Sequence, residues 1–128
     1  MIAHISIGVR DVEKSKRFYD AVLEPLGYQC IRAARKLTGY GYGRDSIAWW
    51  VVAAGHPVPA DEKSGLHFCF RGLSAEAVDA FHAAALRSGG DNNGAPGLRP
   101  EYGPDYYAAF IIDPDGYQIE AYYGPGET

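Results

Sequence analysis

The chain has 128 residues, of which 47% are hydrophobic and 22% are charged, and it carries a net charge of −4 without a basic run. This size and composition predict one folded domain with its own core and exclude a largely disordered chain. The acidic balance argues against nucleic acid as a partner, and no apolar run is long enough to span a membrane. We therefore expect a cytoplasmic protein without a membrane span or a leader segment.

The predicted elements follow the order β-α-β-β-β twice. In the first module, residues 1–54, the strand IAHISIGV precedes a helix capped by Asp11, and the strand-like runs YQCIRAA, LTGYGYG and SIAWWVV follow. Residues 55–64 are predicted to be a linker. In the second module, residues 65–128, the strand LHFCFR precedes a helix capped by Ser74. The irregular strand NGAPGLRP and the strands YYAAFII and YQIEAYY, which a DPDG turn joins, complete it.

The two halves match residue by residue when His4 is laid over His67. Asp11 then faces Ser74, so both helices start with an N-cap, and Gly27 faces Gly90 where both helices stop. An ordered set of matches through a strand, a capped helix and a glycine stop indicates an internal duplication.

Glu120 interrupts the otherwise apolar strand YQIEAYY, where a carboxylate needs a partner. Strand alternation places Ile119 and Ala121 on one face and Glu120 on the other. By the same rule, His4 and His67 face away from the apolar side of their strands. If the two modules curl into a cup, His4, His67 and Glu120 converge inside it. Two imidazoles and one carboxylate suit Fe²⁺, Zn²⁺ and harder divalent ions.

Two alternatives without a metal stay open for these residues. A salt bridge from Glu120 to Arg71 or Arg99 would compensate the carboxylate. His4 would then be a strand histidine whose ring is satisfied by hydrogen bonds.

The other histidines and the cysteines are predicted to lie outside the site. His56 falls in the linker, and His82 follows Phe81 on the second helix, where it is predicted to face solvent. Cys30 and Cys69 lie in strand-like runs and are predicted to be small buried side chains rather than a disulfide.

The chain is rich in aromatic residues, with ten Tyr, two Trp and five Phe. Such side chains either fill a core or form the walls of a ligand pocket. Because neighbouring strand residues face opposite ways, either Trp49 or Trp50 should face the cup. The candidate substrate-binding residues are Trp49, Trp50, Tyr102, Tyr106, Tyr107 and Arg71, the last of which would bind an anionic group.

The sequence resembles the vicinal oxygen chelate superfamily, also called the glyoxalase/bleomycin resistance protein/dioxygenase superfamily. The resemblance rests on HISIGVRD followed by SKRFY and on DPDGYQIEAYY. It implies an α+β fold in which two tandem βαβββ modules form a cup-shaped mixed sheet with helices on the outside, and it implies a homodimer. By position, it makes His4, His67 and Glu120 ligands of a divalent Fe, Mn, Zn or Ni ion, with Glu120 also the catalytic carboxylate.

The resemblance also bears on the reaction. The fourth ligand position of typical glyoxalase I enzymes falls on Trp49 or Trp50, depending on the alignment, and neither binds metal. The resemblance therefore does not extend to true glyoxalase I activity. It implies a metal-dependent lyase or isomerase, thiol transferase or dioxygenase that acts on a small oxygen-chelating metabolite or xenobiotic. The alternative is a metal-free protein of the bleomycin-resistance type, which binds a drug or metabolite without transforming it.

Overall fold

The structure is a computed structural model that describes residues 1–57 and 61–124, without the side chain of Glu62. Within these residues, each half contains one α-helix and four strands in the predicted β-α-β-β-β order, which confirms the predicted fold. Part of the predicted linker, residues 58–60, and the end of the second module, residues 125–128, lie outside the described residues. No helix in the described part of the chain is long and apolar enough to cross a membrane.

The bounds of the elements follow the predicted runs closely. The first module consists of β1 (Ile5–Val9), α1 (Val12–Leu23), β2 (Gln29–Ala34), β3 (Leu37–Gly41) and β4 (Ile47–Ala53). The second consists of β5 (Phe68–Arg71), α2 (Ala75–Arg87), β6 (Asp91–Leu98), β7 (Tyr107–Ile112) and β8 (Gln118–Tyr123). Short 3₁₀ helices follow α1 at Glu24–Leu26 and precede β5 at Glu62–Ser64.

Local chemistry starts both helices at the predicted residues. The side chain of Asp11 accepts a hydrogen bond from the backbone N–H of Lys14, and the hydroxyl of Ser74 accepts one from Ala77. Each cap satisfies an N–H that has no partner inside the helix. The segment after α1 ends at Gly27, whose φ of 88° lies in the left-handed region that favours glycine.

The strands form two four-stranded sheets of the same topology, in the orders β1-β4-β3-β2 and β5-β8-β7-β6. The pairs β1–β4 and β5–β8 are parallel, and the other neighbours are antiparallel. Each module is therefore a mixed sheet with β1 or β5 at one edge. The identical order in both halves agrees with the internal duplication.

One face of each sheet packs against the helices, as the alternation predicts. In β1, Ile7 and Val9 are buried whereas Ser6 is exposed. In β8, Ile119 and Ala121 are buried in the same core. We call the face opposite the helices the open face. The open face of the second sheet carries Cys69, Arg71, Phe110, Gln118, Glu120 and Tyr122, which alternate with the core residues of β5, β7 and β8.

The DPDG turn fastens the second module to the first. The Tyr19 hydroxyl of α1 donates a 2.6 Å hydrogen bond to Asp113. Arg10 forms a 3.3 Å ion pair with Asp115, and the Tyr117 hydroxyl donates to a backbone carbonyl of β1 at 2.7 Å. Burial raises the pKa of Asp113 to about 6 even though its hydrogen bonds oppose the shift. The two modules therefore share a buried polar contact as well as an apolar core.

Three predicted burial states are wrong. His82 is buried rather than solvent-facing, because α2 turns it towards β6, where its Nε2 lies 2.8 Å from Asn92 Oδ1. Cys30 and Cys69 are exposed rather than buried. Cys30 lies on the edge strand β2, and Cys69 lies on the open face of the second sheet, so neither is covered by a helix.

Candidate functional site

Glu120 is a buried carboxylate on the open face of the second sheet, with 3% of its surface exposed. Its Oε1 lies 3.0 Å from His67 Nε2, and its Oε2 accepts a 2.6 Å hydrogen bond from the Tyr106 hydroxyl. Among the described residues, no lysine or arginine lies within ion-pair distance of Glu120. The salt bridge to Arg71 or Arg99 that would have explained this carboxylate is therefore not formed.

Strand register places the neighbours of Glu120. The parallel pair β5–β8 matches Cys69 with Glu120 and Arg71 with Tyr122. The antiparallel pair β7–β8 matches Phe110 with Glu120. Cys69 and Phe110 therefore flank the carboxylate on the same face. Although the residue as a whole is exposed, desolvation around its thiol and the nearby Glu120 carboxylate raise the pKa of Cys69 to about 12, so the thiol stays protonated at neutral pH.

A turn-rich segment between β6 and β7 brings Tyr106 onto this face. The segment closes on itself, because the Arg99 N–H donates to the Tyr106 carbonyl and the Tyr102 N–H donates to the Arg99 carbonyl. The Tyr106 ring stacks on Tyr122 with centroids 4.7 Å apart, and Tyr102 meets Tyr106 edge-on at 5.5 Å. Burial and the hydrogen bond to Glu120 both raise the pKa of Tyr106. The phenol is therefore a fixed donor to the carboxylate.

Two cavities adjoin at His67. The first, of about 410 Å³, opens beside Glu120 and has aromatic walls. The second, of about 450 Å³, lies towards the N-terminus and is more apolar. His67 lines both, and His4 lines only the second. The residues that line the first cavity are His67, Tyr102, Tyr106, Phe110, Gln118, Ile119 and Glu120.

The structure brings His67 into contact with Glu120, whereas His4 lines only the second cavity, which His67 also lines. His4 is exposed and lies just before β1. Across residues 1–57 and 61–124, no three His, Cys, Asp or Glu side chains are arranged to hold a metal ion. One copy of the chain therefore presents two of the three predicted ligands as a pair.

The pair fits two neighbouring ligands of one divalent ion. At the distances of about 2.0–2.2 Å usual for nitrogen and oxygen ligands, one ion could contact two donor atoms up to about 4 Å apart. His67 Nε2 and Glu120 Oε1 are 3.0 Å apart. Imidazole and carboxylate are also the donors that Fe, Mn, Zn and Ni accept. The donor chemistry and spacing of His67 and Glu120 are therefore compatible with the predicted metal.

Register also decides which tryptophan corresponds to Glu120. Ser6 of β1 is the repeat counterpart of Cys69, and Ser6 pairs with Trp50 as Cys69 pairs with Glu120. Trp50 is therefore the first-module counterpart of Glu120. Its ring lies against Gly39 on the neighbouring strand, where an added Cβ would come within 2.6 Å of the indole. A bulky apolar ring takes the place of a ligand in the first module.

Two other predicted substrate-binding residues lie on the helix side of their sheets. Trp49 is 2% exposed, and its ring packs against Tyr19 and Phe68 with centroids 5.7 and 5.1 Å away. The Tyr107 hydroxyl donates a hydrogen bond to Asp79 of α2. Both side chains therefore lie away from the cavity beside Glu120, although Trp49 also lines the second cavity with His4 and His67.

Arg71 remains on the open face, where its guanidinium lies over the Tyr122 ring, 5.4 Å from the centroid. Sequence reasoning did not single out Phe110 or Gln118 as parts of the cavity. Alternation in β8 already placed Gln118 beside Glu120, so that signal was present. Phe110 can be assigned to the cavity only from the pairing of β7 with β8, which a single sequence does not reveal.

Comparisons with known proteins agree with this fold. The model of the Glyoxalase/Bleomycin resistance protein/Dioxygenase superfamily matches residues 1–121. A glyoxalase/bleomycin resistance protein from Albidiferax ferrireducens T118 is 34% identical, with 96% of this chain and 98% of that chain covered and a TM-score of 0.81. A search of curated proteins found no match.

Two more distant crystal structures share the fold. The fosfomycin resistance protein FosX from Listeria monocytogenes is 16% identical over 98% of this chain and 94% of that chain, with a TM-score of 0.71. A glyoxalase/bleomycin resistance protein/dioxygenase family enzyme from Burkholderia phytofirmans PsJN is 18% identical over 96% and 98%, with a TM-score of 0.70. At these identities the likeness shows the fold alone. The family match along nearly the whole chain shows that the protein belongs to the Glyoxalase/Bleomycin resistance protein/Dioxygenase superfamily.

Proposed function

We propose that the protein is a glyoxalase-like, metal-dependent enzyme that acts on a small oxygen-bearing molecule beside Glu120. The observation that carries this proposal is a 3% exposed carboxylate held by His67 and Tyr106 in an aromatic-walled cavity. Members of the superfamily are commonly metal-dependent. A carboxylate buried without a lysine or arginine partner is typical of a metal ligand or a general base.

The residues of this chain take distinct roles in the proposal. His67 and Glu120 would hold the ion, which supplies Lewis acidity towards a substrate oxygen when it is bound. The Tyr106 hydroxyl fixes one carboxylate oxygen and so orients the other towards His67. Phe110 exposes an aromatic surface that excludes water from the reacting groups, and Gln118 offers both a donor and an acceptor.

The reaction that we propose needs no fourth protein ligand. Trp50 occupies the position equivalent to Glu120 in the first module, so the four-ligand set of glyoxalase I is incomplete. We therefore favour a lyase, thiol-transfer or dioxygenase step on a small oxygen-chelating metabolite or xenobiotic. Glu120 is the proposed catalytic carboxylate.

We also propose that the protein is a homodimer in which the second copy supplies His4 to the pair. Superfamily members often form dimers. The motive here is that His4 is exposed beside an edge strand while its two expected partners contact each other without it. Edge strands carry unpaired backbone groups that a second chain can meet.

Metal content tests the proposal. Untagged protein purified without chelator is analysed for metal and then titrated with Fe²⁺, Mn²⁺, Zn²⁺ and Ni²⁺. We expect near-stoichiometric uptake that His67→Ala and Glu120→Gln abolish and that His56→Ala, an exposed linker histidine, leaves intact. A chain that takes up no metal under any of these conditions would contradict the metal-dependent function.

Mixing two variants that do not bind metal tests whether the metal site forms between two copies of the chain. His4→Ala protein keeps His67 and Glu120, and Glu120→Gln protein keeps His4. If the site forms across a dimer, reassembled mixed dimers recover one intact site and bind metal, although each parent alone does not. Mixed dimers that stay empty would place all three ligands within one chain or exclude His4 from the set.

A metal-free binding protein of the bleomycin-resistance type is the second candidate. It is favoured by Trp50 at the fourth-ligand position and by the lack of three converging metal donors within the described ranges. This candidate predicts that an aromatic cationic drug quenches the fluorescence of Trp50, and that Trp50→Phe removes the quenching. A panel of such drugs that produces no quenching would argue against it.

A further inference from the structure

The guanidinium of Arg99 lies one aromatic ring away from Glu120. Its Cζ is 5.5 Å from the centroid of the Phe110 ring, and its Nη2 donates a 2.6 Å hydrogen bond to the Ala95 carbonyl. Phe110 is the cross-strand neighbour of Glu120 and lines the cavity beside it. Arg99 therefore stands at the border of the proposed ligand site, held in place by a backbone acceptor and a ring.

Two glycines of β6 leave the room that this side chain occupies. A Cβ added at Gly97 would lie 3.2 Å from Arg99 Nη1, and one added at Gly94 would lie 3.0 Å from Phe110 Cδ1 and 3.4 Å from Arg99 Nη2. The register of β6 against β7 shifts on both sides of Gly94, so β6 is irregular, as the sequence predicted. The absence of side chains at Gly94 and Gly97 thus leaves space for the Arg99 guanidinium beside the Phe110 ring.

The Arg99 guanidinium has N–H donors beyond the one that meets Ala95, and it has no carboxylate partner within the described residues. The three ion pairs found there involve other groups. One of its five N–H donors meets the Ala95 carbonyl, which leaves the others for a ligand. The side chain is partly buried, so these donors are partly desolvated and an oxyanion would satisfy them.

The positive side chains near the open face of the second sheet also favour an anionic ligand. Arg71 lies over Tyr122 on the same sheet and likewise has no acidic partner within residues 1–57 and 61–124. Two guanidiniums thus lie near the buried Glu120 carboxylate, while Asp91, the other carboxylate that the register places on this face, is exposed at the start of β6. A guanidinium that rests on an aromatic ring keeps its fork of N–H donors free at its edge.

We infer that Arg99 selects an anionic ligand for the cavity beside Glu120. The ligand is a small molecule with a flat apolar part and an oxyanion group, either a carboxylate or a phosphonate. Its apolar part lies on Phe110, and its oxygens accept hydrogen bonds from the guanidinium. This inference rests on the proposed function only in taking this cavity as the ligand site. It does not require a metal.

Nuclear magnetic resonance titration of chelator-treated protein tests the inference. The probes are benzoate, phenylphosphonate and neutral benzamide, which differ mainly in the charged group. We expect the better of the two anions to bind about tenfold more tightly than benzamide, as one charge-assisted contact would give. Comparison of the two anions identifies the preferred oxyanion.

Matched variants make the result specific to Arg99. Arg99→Gln should abolish the preference for the anion and Arg99→Lys should retain part of it. Arg87→Gln, an exposed arginine in the last turn of α2, should leave it unchanged. Failure of both anions to bind, equal binding of anion and benzamide, or an undiminished preference in Arg99→Gln protein would each overturn the inference.

The metal analysis and the charge-preference titration can fail separately. The metal-dependent function fails if the wild-type protein never takes up metal. The Arg99 inference fails if the charge preference does not depend on Arg99. A protein that stays metal-free but loses its preference in Arg99→Gln would support the anion site alone.

Discussion

Tyrosine hydroxyls hold the buried carboxylates of this protein. Tyr106 donates to Glu120, and Tyr19 donates to Asp113, both at 2.6 Å. The two carboxylates differ in their other partners. Asp113 also accepts hydrogen bonds from backbone N–H groups of its own turn, whereas the other groups that the structure describes at Glu120 are the His67 ring and the Cys69 thiol. Asp113 is therefore built into the fold, and Glu120 is the carboxylate left with capacity for a ligand.

Removing the Tyr106 hydroxyl tests how much it contributes to Glu120. Tyr106→Phe leaves a buried carboxylate oxygen without its donor, and we expect a loss of about 1–3 kcal/mol in the free energy of unfolding. Urea unfolding at neutral pH measures it. Tyr102→Phe is the matched control, because its hydroxyl makes no hydrogen bond within the described residues and the residue is exposed. Equal losses in both variants would contradict the specific role of Tyr106.

The stability of the protein should depend on pH through Asp113. Burial raises the pKa of this carboxyl from 3.8 to about 6. Between these two pKa values, the folded state therefore binds a proton that the unfolded state releases. The contribution of Asp113 to the free energy of unfolding is fully present below pH 3.8 and is lost as the pH rises through about 6. The difference in unfolding free energy between wild type and Asp113→Asn should fall by about 2 kcal/mol between pH 4 and pH 7.

Urea denaturation at several pH values checks this sign. Asp91→Asn, an exposed residue at the start of β6, serves as the control and should show no such difference from wild type. A wild-type advantage over Asp113→Asn that grows towards pH 7 would contradict the raised pKa.

At the scale of elements, glycines in the strands make room for large side chains on the open faces. Gly39 of β3 accommodates the Trp50 ring, Gly94 of β6 accommodates the Phe110 ring, and Gly97 of β6 accommodates Arg99. Glycine normally weakens a strand because it adds backbone freedom and no packing. Here a neighbouring strand supplies the side chain that covers the gap. The glycine-rich runs are therefore ordered strands shaped by their neighbours.

Gly39→Ala tests this relation between β3 and β4. The added Cβ would lie 2.6 to 2.9 Å from three atoms of the Trp50 ring, so we expect a loss of about 1–3 kcal/mol and a changed tryptophan fluorescence spectrum. In a Trp50→Ala background the same substitution should cost much less. Gly55→Ala, where an added Cβ meets nothing within 4 Å, is the control. An equal cost in both backgrounds would contradict the contact.

At the scale of the whole molecule, the DPDG turn makes the two modules depend on each other. Asp113 is buried against Tyr19, and Asp115 accepts hydrogen bonds from Ser15 and from the Arg10 backbone. The two helices also pack together, with the core residues of both modules in one cluster. A polar contact buried between two halves is costly to separate, because each partner would lose its hydrogen bond.

We therefore expect one cooperative unit rather than two. Amide hydrogen exchange should give the same opening free energy for the central strands β4 and β8. Tyr19→Phe should lower both by about 1–2 kcal/mol, since it removes the bond that joins α1 to the turn. Tyr102→Phe again provides the control. Protection that falls in only one sheet would show that the modules unfold separately.

The sequence by itself was sufficient for the order of elements, both helix caps, the duplication and the apolar faces of β1, β5 and β8. These features depend on residues close in the chain, on turn chemistry and on the two-residue period of strands. The same alternation placed Glu120 opposite the core, and the quoted motifs were enough to predict the superfamily.

Only the tertiary structure decided which side chains meet. Strand register made Trp50 the counterpart of Glu120 and brought Phe110 beside it, and the folded loop delivered Tyr106 to the carboxylate. It also buried His82, exposed both cysteines and left His4 outside the cavity that His67 shares with Glu120. These outcomes depend on pairing between segments distant in the chain, and a local pattern carries no information about the register of that pairing.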